Sequence, residues 1–378
     1  MKNESMADVV RNKIAEKLSR GLINAETAIS RLEEEGKMAV DYLHAVGTER
    51  KGFTPTMSFM DGEHNRPSVL LTVEGQQQKA FILNKFVYGQ LAGKLNVPAS
   101  YLTKLLMGPE WQRTLAYTIL NTTNGWIDKD NVLVRTIGNE VRGIVSDQFR
   151  RLDSEMIFQA HLGEVYRDGA QISDGFMDDT RVMVESLLPD PILMPTQYNG
   201  DVFLAFGTRL ATSDYGDGAL ELRAFVMQGV CLNGMVRESV LRQVHLGGRL
   251  QSNLALSQHT YELDSEAQAS AIRDLTKNLY SSESIKNRML EVKAASDMLI
   301  EPENEIKMLL AAGKLLKGEA EEVGKILMRN RAEDGVTGES TLWKFTQGLT
   351  AYSNQEGIAE RRRMELQEIA GELFNRIS

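Results

Sequence analysis

Apolar residues spaced near 3.6 run through both ends of this chain, while alternating and β-rich runs fill its middle. All eight prolines lie between Pro55 and Pro302, and the proline-free ends are rich in Ala, Glu, Lys, Leu and Arg, a helical composition. Ser5-Met-Ala-Asp opens a first amphipathic helix that Gly21 is expected to end, and Asn24 is expected to cap a second from Ala25 to about His44. Two short strands are predicted over 68–84 around the polar turn at Gly75, then helices over 86–118. Val132–Ile137 and Glu140–Ser146 flank Gly138-Asn139, a two-residue hairpin signal. A helix over Ser154–Tyr166 with Ser154 as its cap follows, then a strand at Thr180–Glu185 and an extended connector from Pro189 to Pro195. A second hairpin joins Val202–Leu210 to Ala219–Met227 through Asp214-Tyr-Gly-Asp-Gly. In its second strand Leu220, Leu222, Ala224 and Val226 alternate with Glu221, Arg223 and Phe225, the pattern of a half-buried strand. From Asp264 onward the chain reads as helices.

These elements define an α+β protein: an antiparallel sheet core built from hairpins, flanked by N-terminal and C-terminal helical segments. The expected division is an N-terminal helical segment over 1–50, an α+β core over 51–262 and a helical region over 263–378. There is no internal repeat and no low-complexity segment. No apolar run is long enough to span a membrane, and the polar start Met1-Lys-Asn-Glu-Ser is unlike a signal peptide, so a cytoplasmic protein is expected. The single cysteine, Cys231, rules out internal disulfides and Cys-rich zinc sites, and its apolar neighbours suit an inert buried thiol. The net charge of -9 argues against non-specific coating of nucleic acid but permits a local basic groove.

In the centre the positive charge is all arginine. Residues 130–276 carry twelve arginines and no lysine. Guanidinium is a flat fork of donors matched to carboxylate and phosphate. Such a segment is organised either around internal ion pairs that brace a sheet or around an anionic ligand. Arg135, Arg142, Arg150, Arg151, Arg223, Arg237, Arg242 and Arg249 are the candidates for tracking phosphates, with Phe149 or Tyr215 available for stacking. Arg150 and Arg151 could equally pair with Asp147, Asp153 and Glu155. Asn233-Gly234 supplies a turn, and were 237–246 helical, Arg237 and Arg242 would only loosely share a face. Residues 90–106 resemble a helix-turn-helix with its turn at Asn96-Val-Pro-Ala, but its second helix has one lysine and no Arg, Asn or Gln to read bases.

Enzyme signatures are absent: there is no phosphate-loop box, no His-Glu-x-x-His and no nucleophile elbow. The histidines at 44, 64, 161, 245 and 259 lack ligand spacing, so neither metal nor cofactor is expected. The acidic pairs Asp178-Asp179 and Asp214/Asp217 sit in turn-like contexts where Asp is common.

Three segments together carry a family resemblance: Val141-Arg-Gly-Ile-Val-Ser-Asp-Gln-Phe-Arg-Arg-Leu-Asp, Val230-Cys-Leu-Asn-Gly-Met-Val and Thr341-Leu-Trp-Lys-Phe-Thr-Gln-Gly-Leu-Thr-Ala-Tyr. In that order, within residues 65–365, they resemble the phage/plasmid-like proteins, domain of unknown function nine-three-two. The chain departs at Leu232, where the family more often has Thr, and at Trp343-Lys-Phe-Thr-Gln-Gly, where it reads closer to Trp-Gly-x-x-Asn-Ala. The resemblance implies a mobile-element protein and brings no catalytic residues. Two functions follow as expectations. One is a homo-oligomeric protein that binds or anneals single-stranded DNA in phage recombination. The other is a non-catalytic factor that engages a host protein. An enzyme with an unfamiliar site ranks third.

Overall fold

The computed structural model describes residues 6–46, 57–73, 77–124, 131–147, 149, 154–229, 232–243, 258–331 and 336–376. The chain is α+β, with two six-stranded, mostly antiparallel sheets among these residues. It opens with one continuous helix, α1 (Met6–Met38), followed by strand β1 (Ala39–Ala45). The expected break at Gly21 is therefore absent, and the helix expected to reach His44 gives way to a strand. Gly21 marks a close approach: a Cβ there would lie 2.0 Å from the carbonyl oxygen of Ser173. Glycine costs a helix interior only about 1 kcal/mol, too little to end an otherwise well-packed helix.

The first sheet combines β1 with β2 (Met57–Asp61), β3 (Pro67–Thr72), β4 (Gln78–Leu83), β5 (Asn131–Ile137) and β6 (Glu140–Ser146) in the order β1-β5-β6-β4-β3-β2. Among the described residues only β4 and β6 pair in parallel. The β5–β6 hairpin falls where the Gly138-Asn139 signal put it. Helices α2 (Lys85–Leu95), α3 (Ala99–Leu106) and α4 (Glu110–Thr123) cover one face, packing Val87, Leu91, Leu102 and Leu120 on Phe59, Phe81 and Val134.

The second sheet holds β7 (Gln171–Met177), β8 (Val182–Leu187), β9 (Ile192–Pro195), β10 (Asp201–Thr212), β11 (Leu220–Gln228) and β12 (Asn233–Gln243). Its order is β12-β11-β10-β8-β7, with β9 also on β10. β11 is buried along its length rather than half-buried. Its Phe225 and Met227 meet Val10 and Ile14 of α1, whereas Leu220, Leu222 and Ala224 meet α5 (Ser154–Arg167) and α6 (Gln258–Leu279). Alternation was visible in the sequence, but a second apolar layer covers the other face. Residues 233–243 form a strand, so Arg237 and Arg242 have no helical spacing. Ser154 is not a free cap, because its hydroxyl donates to Asp214 at 2.8 Å.

The C-terminal helices are α7 (Ser282–Asp297), α8 (Pro302–Ala311), α9 (Lys317–Arg329), α10 (Leu342–Ser353) and α11 (Glu360–Glu372). Trp343 and Phe345 of α10 are buried in one core with Leu204, Phe206 and Val226 of the sheet. No helix of the described residues is long and apolar enough to cross a membrane.

Candidate functional site

Arg135, Arg142 and Arg223 are turned inward. Arg135, 3% exposed, grips both carboxylate oxygens of Asp41 at 3.0 and 3.2 Å and donates to the Asp214 carbonyl at 2.8 Å. Its guanidinium stands 5.3 Å from the Phe149 ring centre. Arg142 donates to Glu140 at 2.6 Å and to the Asp179 carbonyl at 2.9 Å, with Glu35 at 3.6 Å. Arg223 donates to Glu221 at 3.0 and 2.7 Å and lies 3.5 Å from Glu368. Each of these three forks is engaged by the chain's own carboxylates, and freeing it would strand buried charge. Arg150, Arg151 and Arg249 lie outside the described residues. Arg237 and Arg242 fall on β12, and their side chains also lie outside the description.

The acidic pairs set aside as turn residues are junction points. Arg31 of α1 joins Glu35 at 2.8 Å and Asp179 at 3.0 Å, and Asn84 donates to Asp179 at 2.9 Å. Burial raises the Asp179 carboxyl, but Asn84, Arg31 and Arg142 outweigh it and hold it below its ordinary range. Arg361 of α11 spans Asp178 and Asp217, a clasp with no local sequence signal because its partners are remote in the chain. The turn bearing Asp214 and Asp217 also docks on the first sheet: Gln90 donates to the Tyr215 carbonyl at 2.7 Å and accepts from Ile144 N at 2.7 Å. The acids thus fasten α1, both sheets and α11 together.

A second buried cluster lies between the second sheet and α5, α6 and α7. His161 Nδ1 pairs with Thr276 at 2.9 Å, while Ser186 meets Thr208 at 2.8 Å and the Tyr280 hydroxyl at 2.7 Å. Complete burial drives the His161 pKa down to about 3, so the ring is neutral near pH 7. Arg288 reaches the carbonyls of Gly207 and Leu279, and burial lowers its pKa to about 10. This cluster reads as a satisfied polar core.

A small polar cavity of about 40 Å³ opens between Lys17 of α1, Glu360, Arg363 and Gln367 of α11, and a sheet floor that includes Asp174, Glu185, Arg209 and Phe225. Arg209, 2% exposed, is held through Nε and Nη2 by Glu185, and through Nη2 by Gln367. Its Nη1 has no partner among the described residues. The β10–β11 hairpin delivers Arg209, but only the packing of α1 and α11 builds a cavity around it.

The remaining candidate is the outer surface of α3 and α4. Asn96 in the left-handed conformation turns the chain between α2 and α3, as the helix-turn-helix pattern suggested. Tyr101 is 48% exposed, Met107 57% and Trp111 66%. Residues 85–124 carry Lys85, Lys94, Lys104 and Arg113 against the single acid Glu110, a local excess of basic residues in an acidic chain. Lys85 and Lys104 are exposed. Arg113 is committed elsewhere: it grips Asp61 at 2.8 and 3.2 Å, and holds that carboxyl below its ordinary range.

No family model, curated protein or solved structure matches this chain.

Proposed function

We propose that the protein binds single-stranded nucleic acid through the outer face of α3 and α4. The observation that carries this reading is the exposure of Tyr101 and Trp111 within a locally basic stretch of an otherwise acidic chain. Sequence-tolerant binding of single strands needs such a pairing: flat rings on which bases stack, and cations that follow the phosphates. Helix α3 lacks the Arg, Asn and Gln that a duplex-reading helix needs, which favours unpaired strands. The internal pairing of Arg135, Arg142 and Arg223 moves the reading away from the arginine-rich centre. The resemblance to phage/plasmid-like proteins supplies the proposed setting, strand binding or annealing by an oligomer in mobile-element recombination.

One observation favours a second reading, docking of a host protein on the same face. The exposed residues of α4 beyond Glu110 include Trp111, Thr114, Leu115, Thr118 and Thr122, with no charge among them. Depletion of charge marks the centre of protein interfaces.

Fluorescence anisotropy with a labelled strand of ~30 nucleotides, several typical site sizes, separates the two readings across a salt series. Strand binding should weaken steeply with salt, with Lys104→Ala making the slope shallower by about 0.7. Trp111→Ala should weaken binding by about 5- to 150-fold, as loss of one stacked base costs ~1–3 kcal/mol. Absence of binding at low salt, or binding indifferent to Trp111→Ala and Tyr101→Ala, would sink the proposal. Salt-insensitive capture of a host protein through the same residues would establish the second reading.

A further inference from the structure

We infer that the cavity between α1, α11 and the second sheet is a binding site for a small oxyanion, of phosphate or carboxylate class, with Arg209 as its deep contact and Lys17 at its edge. This is independent of the α3–α4 reading. The unmatched groups here are donors. Arg209 is 2% exposed, its guanidinium stands 5.7 Å from the Phe225 ring centre, and its Nη1 is buried without a hydrogen-bond partner among the described residues. Lys17, half-buried on α1, makes no hydrogen bond or ion pair among them either. Each lining carboxylate is engaged through one of its oxygens. Glu185 accepts from Arg209, Glu360 pairs with Arg363 at 2.7 Å, and Asp174 accepts from Asn24 at 3.1 Å and from Gly175 N at 2.9 Å. A ligand that meets Arg209 Nη1 must accept a hydrogen bond, and a buried guanidinium prefers a charged acceptor.

Size and charge narrow the class. A volume of about 40 Å³ suits an ion of a few heavy atoms. Lys17, Arg209 and Arg363 balance Asp174, Glu185 and Glu360, so the lining is neutral and a bound anion calls for one proton. Glu360 is the group placed to take it. Burial raises its carboxyl above the ordinary range, Asp174 and Glu185 push the same way, and Arg363 and Arg209 oppose them.

The test is isothermal titration calorimetry of the full chain at constant ionic strength, with inorganic phosphate in one arm and acetate in the other. One probe should give a saturable single-site heat, and which one assigns the class. Lys17→Met should weaken that binding at least about tenfold while leaving the melting temperature unchanged, since Lys17 makes no hydrogen bond or ion pair among the described residues and Met keeps its apolar stem. Glu360→Gln should tighten binding near pH 7 and flatten its dependence on pH, because the proton is no longer required. Arg209→Lys should abolish binding, but Lys17→Met carries the test because Arg209 also holds the core. The inference is overturned if neither probe gives a saturable heat, which leaves water as the acceptor for Nη1. It is equally overturned if binding survives Lys17→Met unchanged, which places the ion elsewhere.

Discussion

Replacing Gly21 by alanine should destabilise this protein although it improves the local helix. Alanine in a helix interior gains about 1 kcal/mol over glycine. At Gly21, however, the new Cβ would stand 2.0 Å from Ser173 O, 2.1 Å from Ser173 C and 2.6 Å from Asp174 N. These are backbone atoms of β7, so no side chain can swing aside. Reaching ordinary contact near ~3.5 Å requires α1 to lift from the sheet by about 1.5 Å. A gap of even ~1 Å forfeits up to about half of a contact's attraction. The contacts at risk belong to Ile14, Leu18 and Ala25, all buried beneath α1. With each large apolar side chain worth about 1.5–3 kcal/mol when buried, the expected packing loss is ~3 kcal/mol and the net destabilisation ~2 kcal/mol. Gly89→Ala is the matched control: it lies inside α2, and a Cβ there meets nothing within 4 Å. It should gain about 0.5–1 kcal/mol. Urea unfolding followed by circular dichroism reads both. If Gly21→Ala proves as stable as the parent, α1 does not rest on β7, and the account of this layer fails.

Other outcomes follow from the buried polar groups. Arg142→Lys keeps the charge but cannot span Glu140, the Asp179 carbonyl and Glu35, and should cost about 1–3 kcal/mol in the same assay. His161, with its folded pKa lowered from 6.5 to about 3, contributes stability that is fully present above pH 6.5 and is lost as pH falls toward 3. At ~1.4 kcal/mol per unit this reaches about 5 kcal/mol near pH 3, and His161→Gln should flatten the stability profile between pH 7 and 4. Arg361→Ala removes the clasp on Asp178 and Asp217, and hydrogen exchange should then rise in α11 and in the turn around Asp217. If strands stack on Trp111, 66% exposed, adding single-stranded DNA should quench part of the tryptophan emission, and Trp111→Phe should remove that quenching.

The α+β class and both central hairpins were legible along the chain, because turn chemistry and alternation act between neighbours. Gly138, with φ 60, supplies the left-handed backbone that the β5–β6 turn requires. The helix-turn-helix outline of α2 and α3 was equally local, resting on Asn96 and Pro98. The arginine-only centre was visible too, but not its meaning. Whether a guanidinium faces a phosphate or an internal carboxylate depends on residues far away, such as Asp41 for Arg135. The tertiary structure also decided that Gly21 is a contact rather than a stop, and that β11 is covered on both faces. It alone built the cavity around Arg209, from α1 at one end of the chain, α11 at the other and strands between. Local patterns fix elements because their free energy is collected within a few residues, whereas pairing, burial and cavities are collected only when distant segments pack.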